Sequence, residues 1–331
     1  MIWTRRAAGC AVAAVLALAL AACGSSERGT TTAAPPTTDP YLAVKVKEQA
    51  AENRALQRKI ARAKREQARA AAPEREGDGD DGAASGDGAA SAATQASFDK
   101  LAAGLGGEVG VAYGPAGLDQ PVTTLGPLQT GVAWSTAKVP VAVATVRADG
   151  GSPSGDHADL MRSAITASDN AAAESLWAGL GGGAAAGAKV QAVLADAGDG
   201  DTRVQTERVR SGFTAFGQTE WPLPQAERLA AALPCLDGAA PVLDLMGQVT
   251  SDQRWGLGQA GANQRFKGGW GPDESGRYLV RQLGLIDVDG GTVAVAIASK
   301  PSDGSLESGS AQLTQLAQWV AAHARGSAVK C

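Results

Sequence analysis

Ser135-Thr136-Ala137-Lys138 sets a hydroxyl and an amine three residues apart, which on a helix is one turn and one face. Such a pair can run nucleophilic chemistry. An amine kept neutral by burial and by a second nearby cation accepts the serine proton, and the freed oxygen attacks a carbonyl carbon. The same spacing recurs at Ser97 with Lys100 and at Ser327 with Lys330, and context separates the three. Ser97 borders a Gly/Ser/Asp-rich stretch and Ser327 lies near the C-terminus, whereas Ser135 opens the apolar run Val139-Pro140-Val141-Ala142-Val143-Ala144. Pro140 falls close to a helix start, where its missing N–H costs least. Read alone, Ser135 serves equally well as a helix cap followed by an incidental lysine.

Other chemistries lose ground on composition. The 331 residues include two histidines, His157 and His323, and neither accompanies a G-x-S-x-G elbow or an H-E-x-x-H string, so a Ser-His-Asp triad and zinc hydrolysis are both poorly supported. A nucleophilic serine in this chain therefore depends on lysine. The four cysteines, at 10, 23, 235 and 331, lack C-x-x-C spacing, which argues against zinc ribbons, thioredoxin-like redox motifs and c-type haem. A net charge of −4 gives no reason to expect nucleic-acid binding. Neither a metal nor an organic cofactor is implied.

Two further motifs complete a set. Ser168-Asp169-Asn170 follows one predicted helix and opens another, and Lys267-Gly268-Gly269-Trp270 lies on a late predicted strand. Taken separately, the first reads as a helix cap and the second as a solvated turn. In this chain order, however, S-x-x-K, S-D-N and K-x-G resemble the class A serine β-lactamases and the penicillin-binding proteins, over residues 97–325. The resemblance implies that Ser135 is acylated by a β-lactam or a peptidoglycan peptide, with Lys138 as general base or proton relay and Ser168 as a second relay. It implies that Asn170 hydrogen-bonds the substrate amide, that Asp169 holds the loop presenting Ser168, and that Lys267 supplies positive field. The oxyanion hole would be the N–H groups of Ser135 and Trp270, with Gly269 beside them on the strand. Arg277 would hold the substrate carboxylate, or is a surface strand arginine.

The pattern departs from that family in three places. Ser168 follows Ser135 after about half the usual separation, and residues 148–157 replace a longer segment that walls one side of the cleft, so the helical part is trimmed and the site more open. Gly268 stands where Thr or Ser would bind the substrate carboxylate. No E-x-x-L-N string supplies a deacylating glutamate: Glu220-Trp221-Pro222-Leu223 continues with Pro224, and Glu207 lacks the Leu-Asn. An acyl-enzyme would then persist or clear slowly, or the fold would serve as a non-catalytic module that binds cell wall or a partner protein.

The elements that must position these groups follow from periodicity. A helix is expected over 98–105, strands over 108–113 and 122–125, helices from 135 to about 249, strands over 265–269, 278–286 and 292–299, and a helix over 308–325. Strands at both ends with helices between predict an α/β (α+β) fold, one antiparallel sheet flanked by helices with a trimmed all-helical insertion.

The N-terminal third is organised differently. Arg5 and Arg6 precede an apolar run that ends in Leu20-Ala21-Ala22-Cys23-Gly24, which resembles a bacterial lipoprotein signal over 1–22. That resemblance makes Cys23 the lipid-bearing residue and puts the protein outside the cytoplasm, anchored to the membrane. Cys235 and Cys331 are then left in an oxidising compartment, to form one disulfide or remain two thiols. Residues 23–40 read as a tether. Residues 41–72 contain no Gly or Pro and carry nine basic against three acidic residues; they read as a basic helix whose weak heptad seam suits a short self-associating coiled coil, and equally a lone spacer. Residues 73–96 read as an acidic, disordered linker, and residues 97–331 as the folded domain.

Overall fold

The computed structural model describes residues 90–331, so the signal expected over 1–22, Cys23, the tether expected over 23–40, the helix expected over 41–72 and nearly all of the linker expected over 73–96 lie outside the described residues. Helix α1 spans Ala92–Leu105, with Ser91 accepting from the Thr94 amide at its N-terminus. It begins six residues ahead of the expected start at Phe98. The Ala-Ala-Thr-Gln-Ala run between Ser91 and Ser97 had read as linker by its small residues, yet alanine and glutamine are good helix formers once a serine caps the first turn.

Five strands follow the predicted order: β1 (Gly107–Pro115), β2 (Thr123–Leu125), β3 (Ala262–Pro272), β4 (Tyr278–Val288) and β5 (Gly291–Pro301). They form one sheet in the order β2-β1-β5-β4-β3, with every pairing antiparallel. Between β2 and β3 run α2 (Lys138–Ala148), α3 (His157–Thr166), α4 (Asn170–Gly179), α5 (Gly183–Asp196), α6 (Leu223–Ala232) and α7 (Ala240–Met246), and α8 (Leu306–His323) closes the chain. The expected fold class, an antiparallel sheet flanked by helices with a helical insertion, is the one observed.

Strand β5 shows how one sheet serves two cores. Val293, Val295 and Ile297 join Phe98, Leu313, Leu316 and Val320 on the α1/α8 side. The alternate Ala294, Ala296 and Ala298 face the core that contains α2 and α6. Period-2 alternation of large and small residues fills the first side and lets α6 approach the second closely. Helix α2 is apolar on nearly every face, and Val139, Val141, Ala142, Val143 and Val146 are all buried. It is the axle of the helical part, and its N-terminus meets the edge strand β3. Cys235 and Cys331 are bridged, with Cα atoms 5.4 Å apart, which ties the C-terminal residue to the end of α6.

Candidate active site

Ser135 sits in a single 3₁₀ turn, Trp134–Ala137, that runs directly into α2. Residues 131–133 lead into the turn as a short extended segment: Ala133 N donates to Thr219 O at 2.8 Å, and Trp221 N donates to Gly131 O at 2.9 Å. Trp134 then adopts φ +49°, a left-handed conformation that costs a non-glycine residue about 1–2 kcal/mol. Its indole is seated against β3 at Gly271, where an added Cβ would stand 2.7 Å from the ring. Two residues earlier, a Cβ on Gly269 would stand 2.9 Å from Ser135 N, Thr136 N and Ala133 O. The edge strand can therefore touch the turn that carries Ser135 only where it lacks side chains.

Lys138 is 1% exposed although it carries an amine. Its Nζ donates to the Ser168 carbonyl and, at 2.8 Å, to Asn170 Oδ1, and lies 3.4 Å from Ser168 Oγ. From the other side Lys267, fully buried, donates to Ser168 Oγ and to Gly268 O, each at 2.8 Å. Burial, opposed only in part by the Asp169 carboxylate, brings Lys138 down from 10.5 to about 7. Burial and then the charge of Lys138 push Lys267 well below the ordinary lysine value. An uncharged Lys138 spends its two N–H bonds on Ser168 O and Asn170 Oδ1, which leaves its lone pair for a hydroxyl proton. The row Lys138, Ser168, Lys267 can thus pass a proton between a serine oxygen and a leaving group.

Local sequence explains how Ser168 is presented. It occupies φ +60° between α3 and α4, and Asp169 Oδ1 caps α4 by accepting from Ala172 N at 2.8 Å. Asn170, exposed at the first turn of α4, turns its amide oxygen onto Lys138. Trp270 is half-buried, its ring edge-to-face with Trp255 at 5.7 Å. Arg277 is not brought into this group: its guanidinium donates to the Pro301 and Ser302 carbonyls at 3.1 and 2.9 Å. Together with Trp134, Arg210, Glu220 and Tyr278 it lines a cleft of about 300 Å³ that adjoins the Ser135 turn through Trp134. Glu207 is exposed, its amide donating to Gln205 Oε1, and Glu220 is exposed opposite Val132 in an antiparallel bridge.

Two supports were not read from the sequence. Arg281, 1% exposed, faces Gly269 in the β3–β4 register. Its Nη1 donates to Gly131 O at 2.8 Å and Trp221 O at 3.0 Å, which pins the segment leading to Ser135. The loop after α5 spans both walls, with Arg208 bonded to Glu174 on α4 at 2.9 Å and Arg210 to Pro272 O at the end of β3 at 2.7 Å. The Gly-Gly-Trp-Gly run at 268–271 was the one visible sign that something packs tightly on β3.

No family model and no curated protein matches this sequence. Solved structures do match. A variant of the last common ancestor of Gram-negative bacteria class A β-lactamase is similar over 71% of this chain and all (100%) of its own, at 20% identity and a TM-score of 0.54. A class A β-lactamase from Mycobacterium abscessus is similar over 69% of this chain and 97% of its own, at 16% identity and a TM-score of 0.55. At such identities the likeness is one of architecture, and the chain has the fold of the class A β-lactamases, a serine hydrolase-like fold.

Proposed function

We propose that this protein is an extracytoplasmic serine hydrolase of the β-lactamase-like class, held at the membrane by lipid on Cys23 and acylated at Ser135 by a β-lactam or a peptidoglycan peptide. The observation that carries the reading is the pair of buried amines, Lys138 and Lys267, that meet on the half-buried Ser168, with Lys138 three residues on from Ser135 and brought to about 7. In the step, Ser135 Oγ attacks the acyl carbon as its proton moves to Lys138 Nζ. The row then returns a proton through Ser168 Oγ to the leaving nitrogen. Asn170 and Lys267 receive the substrate's amide and carboxylate, and the Ser135 and Trp270 amides receive the oxyanion. Arg277 would join them only by leaving its present carbonyl partners. A fluorescent penicillin, followed by peptide mapping, tests this: the label is expected on Ser135 and absent from that peptide in Ser135→Ala. A labelled protein with no modified Ser135 overturns the assignment.

The acyl group is expected to persist. Glu207 and Glu220 are both exposed, and Gly268 offers no hydroxyl to a substrate carboxylate. Nitrocefin should give a burst near one equivalent followed by slow release, whereas steady turnover that disappears in Glu207→Gln would assign that glutamate as the deacylating base. The Leu20-to-Gly24 string supports lipidation, and Cys23→Ser should shift the protein from the membrane to the soluble fraction. A second reading, a non-catalytic cell-wall-binding lipoprotein on the same fold, draws on the same Gly268. Saturable binding to peptidoglycan fragments without any acylation would favour it.

A further inference from the structure

Ser97 heads one of the S-x-x-K pairs set aside above, but the base it meets is His323. Helices α1 and α8 lie together, and Ser97 Oγ stands 2.9 Å from His323 Nε2. The other ring nitrogen, Nδ1, is 2.9 Å from the Trp319 carbonyl oxygen. A carbonyl only accepts, so Nδ1 carries the ring proton and Nε2 is left with a lone pair. Ser97 therefore donates its hydroxyl proton to Nε2. Trp319 holds both members: its indole stacks on the imidazole at 4.4 Å and 16°, and its Nε1–H donates to Ser97 Oγ at 3.0 Å. A hydroxyl, a base within hydrogen-bond reach, and a third group that fixes the base's tautomer are what activate a serine. Here a main-chain carbonyl takes the orienting place.

Clamping α1 to α8 does not require this arrangement, since Phe98 already packs edge-to-face on Trp319 at 5.4 Å. His323 is exposed and Ser97 half-buried, so a small reagent can reach the pair. We propose that Ser97 is a second nucleophilic serine, activated by His323 and acylated by small activated esters. The step balances without any further reactant: Ser97 Oγ bonds to the ester carbonyl carbon, its proton passes to His323 Nε2, the bond from carbonyl carbon to aryl oxygen breaks, and the imidazolium returns the proton to the departing aryloxide. The products are O-acyl-Ser97 and a phenol.

The test uses the full chain carrying Ser135→Ala, treated with p-nitrophenyl acetate and followed by peptide mass mapping. Ser97 should be acetylated, and adding His323→Gln should slow that acetylation about 100-fold, a general base being worth at least that much. Ser308, a half-buried serine on α8 bonded to the Asp303 carboxylate instead of an imidazole, is the internal reference and should stay at background in both proteins. Absence of acetyl on Ser97, or an equal rate in His323→Gln, overturns the proposal. If His323→Gln melts early, the Ser97-to-Ser308 ratio in the His323 protein decides, and a ratio near one overturns it. Neither result bears on Ser135, which is absent from the protein tested.

Discussion

Lys267 Nζ lies 2.8 Å from Ser168 Oγ, across the seam between the edge strand β3 and the turn into α4. Lys138 reaches the same serine from the helical side, so two buried amines share one hydroxyl, and among the described residues no carboxylate forms an ion pair with either. Both cannot be charged without a large desolvation and repulsion cost. The site meets this by holding protons loosely, which is what proton transfer at neutral pH asks of it.

Acylation should therefore track the neutral form of Lys138. With the amine at about 7, the acylation rate should rise with pH below that value and level off above it. Stability carries the same signature. The unfolded chain holds a proton from about 7 up to 10.5 that the folded chain releases, so stability climbs with pH across that window and the full penalty stands below it. Urea unfolding at pH 6 and pH 9 should show the wild type gaining about 2–3 kcal/mol more than Lys138→Met. Equal gains would show that Lys138 is not the group being held neutral.

Gly269 and Gly268 should behave as opposites although adjacent. A methyl on Gly269 has 2.9 Å to the amides of Ser135 and Thr136, so Gly269→Ala must push the strand off the Ser135 turn. It should cost about 1–3 kcal/mol and abolish acylation. The three nearest atoms to a methyl on Gly268 belong to the Trp255 and Trp270 side chains, at 3.3–3.5 Å. Gly268→Thr should fold, melt within a few degrees of wild type, and label faster with a carboxylate-bearing β-lactam. Thermal melts and labelling rates, measured on both variants, check the pair.

What could be read in advance divides along a physical line. Ser135 with Lys138, and Ser168 with Asn170, are local spacings that a helix turn and a helix cap translate directly into geometry. Their convergence with Lys267 depended on chain order rather than on any local rule. Trp134 gave no signal, because its left-handed backbone is forced by β3 packing from 137 residues further on at Gly271. Arg281 was missed because an arginine in an alternating strand reads as solvent-facing. Here both sheet faces are covered, and the guanidinium is buried against carbonyls. Asp169 shows that a bland reading and a functional one coexist: it is a helix cap, and through that cap it sets the turn of Ser168.

Removing Arg281 should loosen the segment that leads to Ser135. It stays charged at neutral pH, burial having lowered it only to about 10. Arg281→Met leaves the Trp221 carbonyl without its donor, a loss of about 1–3 kcal/mol, and leaves the Gly131 carbonyl with the Trp221 amide alone. The expected result is a fall in melting temperature together with faster hydrogen exchange at the Ala133 amide, which donates to Thr219 in the segment Arg281 pins. A variant that melts normally would assign the pinning to the surrounding backbone bonds alone.

The disulfide should act on stability and leave the chemistry alone. Cys235 and Cys331 are 96 residues apart in sequence, so the bridge closes a long loop in the unfolded chain and is worth about 4.7 kcal/mol by loop entropy. The tail it holds is also stitched by main-chain bonds: Leu118 N to Lys330 O at 2.9 Å, Thr292 N to Ser327 O at 3.0 Å and Gly326 N to Asp289 O at 3.0 Å. None of these partners belongs to the cluster around Ser168. Cys235→Ser/Cys331→Ser should thus unfold at lower urea while labelling at Ser135 at the wild-type rate. Reductant should bring the wild type down to the double variant and leave the variant unchanged. A double variant as stable as the oxidised wild type would mean that the hydrogen-bonded tail alone fixes the C-terminus, and that the bridge adds only what those bonds already supply.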